Sequence, residues 1–274
     1  MKIYKYAVIG NPVSHSKSPQ IHTAFAQQQG IQIEYLRVLA DETSFTETVN
    51  EFRMAGGSGL NVTLPFKVTA FQQCQTVNEY AQSAHAVNTL CFDNEGNWVG
   101  ANTDGLGLLK DLTSNLGIDL ADKKILIMGA GGSTRGILLP LLQQHPCKLV
   151  IVNRDTRKAS HLTEIFSRHE NLHACAYSDL GDEVFDLVIN ATSASLSGSL
   201  PPLPDTIVSS NSACYDLYYS DEDTPFINWG KSLGVATCAD GLGMLIEQAA
   251  ESYFLWQDFR PETWPVHEIL RPAP

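Results

Sequence analysis

The sequence predicts an α/β protein built on a mostly parallel sheet, and two observations carry that prediction. Apolar runs of strand length recur along the chain, separated by stretches of helical character, as expected of strands covered by helices on both faces. One such run, residues 124–128, passes directly into Gly129-Ala130-Gly131-Gly132-Ser133 and then into a helix-like segment. Strand, glycine-rich turn, helix and second strand is the setting in which a glycine motif reads as a dinucleotide site.

The chain enters through Ile3-Tyr4-Lys5-Tyr6-Ala7-Val8-Ile9, which reads as a strand rather than a signal peptide. Strand-like runs are expected at 7–10, 34–38, 59–63, 125–128, 149–153, 187–191, 213–217 and 235–238. Residues 137–142 read as the helix after the glycine turn, with Pro140 weakening or kinking it. A last helix-like run extends from the Asp240-Gly241-Leu242-Gly243 segment to Trp256. No internal repeat or low-complexity segment interrupts the series.

A length of 274 residues allows one large domain or two small ones, with ample chain for a core. The hydrophobic content of 43% and charged content of 18% are ordinary for a soluble protein. A net charge of −12 argues against nucleic acid or an anionic membrane surface as the main partner. Cys74, Cys91, Cys147, Cys175, Cys214 and Cys238 are scattered, with no CxxC and no Cys/His ligand spacing. No metal site or disulfide framework is therefore expected, and free thiols in a reducing cytoplasm are the simplest account. No run approaches transmembrane length, so a soluble cytoplasmic protein is expected.

Two short segments point to chemistry. Asn61-Val62-Thr63-Leu64-Pro65-Phe66-Lys67 ends a proline-stiffened apolar stretch with a lysine, and Asn102-Thr103-Asp104-Gly105 places a carboxylate in a turn-prone segment. A lysine ammonium is a compact donor that a nearby carboxylate can hold, a pairing suited to moving one proton at an oxygen. Alone, each segment reads equally well as a solvated lysine or a plain turn. In the glycine turn, small residues let the backbone approach a pyrophosphate, and the following helix N-terminus offers N–H groups to it. Thr134 stands where the third glycine of GxGxxG is usual.

Together these three segments resemble the shikimate dehydrogenase family. The resemblance runs nearly end to end, through residues 10–19 (GNPVSHSKSP), Ala86-Val87-Asn88-Thr89, Asn190-Ala191-Thr192-Ser193 and residues 240–245 with Gln248. It implies two lobes: an α/β substrate domain of residues 1–103 and 240–274, and a Rossmann-like dinucleotide-binding domain of residues 104–239. It implies NADP-dependent interconversion of 3-dehydroshikimate and shikimate, with Lys67 and Asp104 catalytic. Ser14 and Ser16, alternating across an extended loop, would hold the substrate carboxylate. Asn61, Thr63, Asn88, Asp104, Gln248 and Tyr219 would meet the rest of the substrate. Gly129, Ala130, Gly131, Gly132 and Ser133 would cradle the pyrophosphate, with Asn153, Arg154 and Lys158 near the adenine ribose. Thr192, Ser193, Leu217 and Gly241 would line the nicotinamide crevice.

Arg37 lies outside these motifs and is expected to be nearly silent. The chain departs from the family pattern at His85, where glycine is usual, at Ser133-Thr134-Arg135, and at Asp155, which puts the choice of cofactor in question. A quinate/shikimate dehydrogenase using NAD is the alternative reading, which Ser16 in place of threonine disfavours. A non-catalytic dinucleotide sensor is the third, disfavoured by a complete polar substrate set. The expected partner is a small molecule, and a monomer or a homodimer is equally compatible.

Overall fold

Strand β1 (Ile3–Gly10) opens a unit arranged around it. The computed structural model describes residues 3–271, and the chain divides into two units. The first runs to Gly107 and resumes at Leu245; the second is Leu108–Met244. After β1 come α1 (Ser18–Gln29), β2 (Gln32–Leu39), α2 (Phe45–Met54), β3 (Gly57–Val62), α3 (Lys67–Gln73) and β4 (Thr76–Val77). Then follow α4 (Glu79–Ala84), β5 (Thr89–Phe92), β6 (Trp98–Ala101) and α5 (Asp104–Lys110), in which the first division falls.

The sheet order is β2-β1-β3-β5-β6-β4. Strand β1 is parallel to β2 and β3, whereas β5 is antiparallel to β3 and β6. The β5–β6 hairpin is not among the strands expected from the sequence. Its turn is built locally, Asp93 accepting from the backbone N–H groups of Glu95 and Asn97. Alternation along β1 sends Ala7 and Ile9 into a core with Phe45, Leu60, Val62, Phe66 and Trp98. On the other face Tyr6 stacks on Trp256 at 4.4 Å.

The second unit contains β7 (Lys124–Met128), α6 (Gly132–Leu142), β8 (Lys148–Val152), α7 (Thr156–Ile165), β9 (Leu172–Cys175) and β10 (Leu187–Asn190). It continues through β11 (Ala213–Asp216), α8 (Pro225–Ser232) and β12 (Thr237–Asp240) into α9 (Leu242–Gln257), where the chain returns to the first unit and ends in α10 (Trp264–Leu270). Its sheet is wholly parallel, in the order β12-β11-β10-β7-β8-β9. Renumbered within the unit this is 3-2-1-4-5-6 reversed, the doubly wound dinucleotide-binding order. Ile125, Ile127, Leu149 and Ile151 fill one core, and Leu126, Met128, Val150 and Val152 fill another on the opposite face. Burial on both faces explains why these strands read as unbroken apolar runs.

Three local expectations can be refined. The strand expected at 235–238 starts two residues later, as β12; the Val235 N–H bonds to Gly230 O at the exit of α8. Pro140 sits in the last turn of α6 without breaking it. Residues 102–105 turn into a helix: Asn102 Oδ1 accepts the Asp104 N–H at 3.1 Å in an Asx turn, and Asp104 begins α5. The departure at His85 also has a backbone meaning. It ends α4 with φ 49°, the left-handed conformation that glycine adopts without steric cost. None of the described helices is long and apolar enough to cross a membrane.

His22 is fully buried, stacked on Tyr35 at 4.7 Å and tilted against Trp256 at 5.1 Å. Neither ring nitrogen has a hydrogen-bond partner. Burial pushes its pKa down to about 3, with Asn61 opposing only in part. The folded chain therefore refuses a proton that the unfolded chain accepts below about pH 6.5. This contribution to stability is intact above that value and is lost as the pH falls towards 3. Denaturant titrations of wild type and His22→Phe across pH 7 to 4 should diverge, wild type losing up to about 1.4 kcal/mol more per pH unit. Parallel curves would contradict a buried neutral imidazole.

Candidate active site

Phe66 N–H bonds to Thr63 O, a tight turn that delivers Lys67 as the first residue of α3. Lys67 Nζ lies 2.6 Å from Asp104 Oδ2, with side-chain exposures of 24% and 9%. The carboxylate is therefore almost withdrawn from water while the ammonium remains reachable. Asp104 Oδ1 accepts from Asn88 Nδ2 at 2.7 Å, so both carboxylate oxygens are engaged. Removing one partner of such a pair costs about 3–5 kcal/mol, because it leaves an uncompensated buried charge.

Asn88 is 2% exposed and its orientation is fixed. Its Oδ1 accepts from the Thr103 N–H at 3.0 Å and the Thr89 hydroxyl at 2.8 Å, and its Nδ2 also reaches Gln248 Oε1 at 3.2 Å. Gln248 comes from α9, and Gly107 lets α5 approach that helix. A Cβ at Gly107 would stand 2.5 Å from Gln248 N. Asn61 Oδ1 accepts from the Tyr35 hydroxyl at 2.6 Å, and its Nδ2 donates to Ser252 Oγ at 3.1 Å. Only a second lone pair on Asn61 Oδ1 is left for a ligand. Thr63 is half-buried at the end of β3, its N–H bonded to Ile9 O.

The serine loop differs from the extended form expected. Ser16 N–H bonds to Val13 O at 3.1 Å, so Ser14 lies within a turn and the alternation argument does not apply. Ser14 is exposed; Ser16 is half-buried, with Oγ 3.1 Å from Ser18 Oγ. Arg37 is not idle. Its Nε and Nη2 donate to Ser16 O at 3.0 and 2.7 Å, clamping the loop from β2. Sequence reasoning missed it, along with Tyr35, Thr89, Thr103 and Ser252. Thr89 and Thr103 stand inside quoted motifs, and Ser252 follows Gln248 at the i+4 helical spacing, so these three were within reach.

In the second unit Gly129 has φ +101° and lies at the switch between β7 and β10, where a Cβ would meet Ala191 O at 3.0 Å. Thr134, in place of the third glycine, donates its hydroxyl to Gly129 O at 2.8 Å and closes the turn. Nothing lies within 4 Å of a Cβ built on Gly131 or Gly132, so Gly131, Gly132 and Ser133 stand open at the start of α6, beyond the buried Gly129 and Ala130. That room and the α6 N-terminus fit a pyrophosphate.

At the end of β8, Asn153 Nδ2 holds Asp155 O, while Arg154 and Lys158 are exposed. Asp155 caps α7 and accepts from Arg157 Nε and Nη2 at 3.0 and 3.2 Å. Thr192 is anchored by Asn190 Oδ1, and Ser193 is exposed. Leu217 approaches Gly241 so closely that a Cβ on Gly241 would stand 2.2 Å from Leu217 O. Asp216, which the sequence reading also missed, is fully buried and accepts from Ser195, Thr224 and the Tyr218 N–H. Burial pushes its carboxyl pKa up against those three bonds. Tyr219 is half-buried, its phenol pushed up by burial, and it belongs to this unit rather than to the one holding Lys67.

Residues 8–90 match the family model for the shikimate dehydrogenase substrate binding domain, and residues 111–197 match shikimate / quinate 5-dehydrogenase. The chain is 51% identical to the shikimate dehydrogenase (NADP(+)) of Nitrosospira multiformis, over 97% of this chain and 96% of that one. Among solved structures it is similar to an Ael1 enzyme from Pseudomonas putida, with 44% identity, a TM-score of 0.92 and 99% of each chain covered. It is also similar to the shikimate 5-dehydrogenase of Thermus thermophilus in complex with NADP(H) and shikimate. There the identity is 31%, the TM-score 0.87 and the coverage 98% of each chain.

The contact at Gly107 yields a test. Gly107→Ala must displace Gln248 or spread α5 from α9, and overpacking of this kind costs about 1–3 kcal/mol. Thermal melting should show that loss, whereas an unchanged melting temperature would mean that the two helices are less tightly apposed.

Proposed function

This chain belongs to the shikimate dehydrogenase family, and from that premise we propose that its Lys67–Asp104 pair serves the reversible NADPH-dependent reduction of 3-dehydroshikimate to shikimate. The observation that carries the residue roles is the pair itself. A reachable ammonium is held at 2.6 Å by a carboxylate whose other oxygen is fixed by Asn88. The cofactor, when bound, supplies the hydride. Lys67 donates a proton to the oxygen of the reacting ketone and takes it back in the oxidative direction. Asp104 aims the ammonium and accepts from a ring hydroxyl.

Asn61, Thr63, Asn88, Gln248 and Tyr219 read the remaining hydroxyls. Polar groups so placed reject analogues that leave them unpaired. Ser14 and Ser16 hold the carboxylate, with Arg37 fixing their loop through Ser16 O. Gly129, Ala130, Gly131, Gly132 and Ser133 receive the pyrophosphate, Asn153, Arg154 and Lys158 the adenine ribose and its phosphate, and Thr192, Ser193, Leu217 and Gly241 the nicotinamide.

The reaction is tested by following NADPH absorbance with shikimate or quinate as substrate and NADP or NAD as acceptor. Lys67→Ala should lower kcat about 10²–10⁴-fold, the usual worth of a positioned acid or base, with KM much less altered. Asp104→Asn should lose a comparable factor, and the double variant should lose far less than the product of the two. A kcat for Lys67→Ala within a few-fold of wild type would remove it from the chemistry.

NADP should be preferred to NAD by on the order of 10²-fold in kcat/KM, since a charge-assisted bond to phosphate is worth about 1.5–3 kcal/mol and about 1.4 kcal/mol is tenfold. Arg154→Ala should narrow that ratio. Asp155→Thr should widen it only a few-fold, because Arg157 already answers the Asp155 carboxylate. Equal use of NAD by wild type would refute the phosphate assignment.

A further inference from the structure

The reading just given, on which this inference rests, leaves two fully buried hydroxyls of the first unit without a role, those of Thr89 and Ser252. Both lie within one continuous series of hydrogen bonds. The Tyr35 hydroxyl donates to Asn61 Oδ1 at 2.6 Å, and Asn61 Nδ2 donates to Ser252 Oγ at 3.1 Å. Ser252 Oγ and Thr89 Oγ1 are 2.7 Å apart, a distance at which either could donate. Their neighbours settle the direction. Thr89 has one proton, and Asn88 Oδ1 at 2.8 Å takes it, so Ser252 supplies the proton between them. Ser252 has two further acceptors within reach, Gln248 O at 3.0 Å and Thr103 Oγ1 at 3.2 Å, and the Thr89 oxygen at 2.7 Å is the nearest of the three. Asn88 Nδ2 then donates to Asp104 Oδ1, and Lys67 donates to Asp104 Oδ2.

Every donor in the series points towards the Asp104 carboxylate. Reversing the Asn88 carboxamide would set acceptor against acceptor, Oδ1 facing Asp104, and reversing that of Asn61 would set donor against donor, Nδ2 facing the Tyr35 hydroxyl proton. Buried polar groups left unpaired are costly, and linked hydrogen bonds polarise one another.

We propose that Thr89 and Ser252 are positioning residues. They touch no ligand and act by holding the carboxamides of Asn61 and Asn88 in the one orientation that leaves the free lone pair of Asn61 Oδ1 for the substrate and aims Asn88 Nδ2 at Asp104. Thr89→Val and Ser252→Ala remove one hydroxyl each at little change in shape, while Thr89→Ser and Ser252→Thr retain it. KM for shikimate, KM for NADP, kcat and melting temperature are measured for all four beside wild type.

The hydroxyl-free variants should raise KM for shikimate about five- to thirtyfold, on the scale of one or two hydrogen bonds. Their KM for NADP should stay within about twofold of wild type, and Thr89→Ser should restore shikimate KM to within about threefold. A general loosening of the fold would not spare NADP, so a parallel rise in both constants overturns the proposal. So does an unchanged shikimate KM in both hydroxyl-free variants of an enzyme whose wild type turns over shikimate. Wild type inactive towards shikimate with either cofactor would overturn the underlying reading instead. If Thr89→Val fails to fold, Ser252→Ala carries the test, alanine being the best residue for the middle of α9.

Discussion

A carboxylate nearly removed from water needs a counter-charge and hydrogen-bond donors, and in the first unit the groups that answer Asp104 determine where everything else stands. Lys67 takes one oxygen and Asn88 the other. To bring those two groups to one point, α3 must begin where β3 ends, the Asn88 strand must enter antiparallel beside it, and α5 must start at Asp104 under the Asn102 cap. The backbone adds a direct tie, the Val87 N–H bonding to Lys67 O at 2.8 Å. The same requirement accounts for the glycine at 107, since Gln248 reaches Asn88 only if α9 lies against α5 at a distance no side chain would allow.

The second unit has a different logic. Its four central strands, β7, β8, β10 and β11, are buried on both faces, and Gly129, Asn153, Thr192 and Leu217 follow their carboxyl ends. Ligands of doubly wound sheets bind beyond the carboxyl ends of the strands, so the fold itself concentrates candidate contacts there. Asp216, at the end of β11, is a buried carboxylate that ties the segment after β10 to the segment after β11 through Ser195 and the Tyr218 N–H.

Legibility in the sequence followed physical locality. Strands β7, β8, β10 and β11 were readable because burial on two faces writes itself as an apolar run. Strands β4, β5 and β6 were not, β4 being only two residues long and β5 and β6 forming a local hairpin. Lys67 and Asp104 stood out as charged residues in otherwise neutral segments. Tyr35 and Ser252 did not, because a hydroxyl gains its meaning only from what it meets, and Ser252 meets Asn61 across 191 positions of chain. The serine loop was misread for a related reason: a period-two argument holds for extended backbone, and Val13–Ser16 is a turn. Arg37 escaped because its target is a backbone carbonyl, which no side-chain pattern announces.

The discontinuity of the first unit imposes an order on biosynthesis. A ribosome releases the chain from its N-terminus, so residues 1–107 emerge with β1, β3 and β5 available to pair but without α9. Until Gln248 and Ser252 arrive, the amides of Asn61 and Asn88 lack their interior partners, and Tyr6 and His22 lack the Trp256 ring that covers them. The second unit, by contrast, is one uninterrupted stretch and can finish its sheet while that gap persists. The polar interior around Asp104 therefore cannot close until α9 has been translated, after the whole of the second unit.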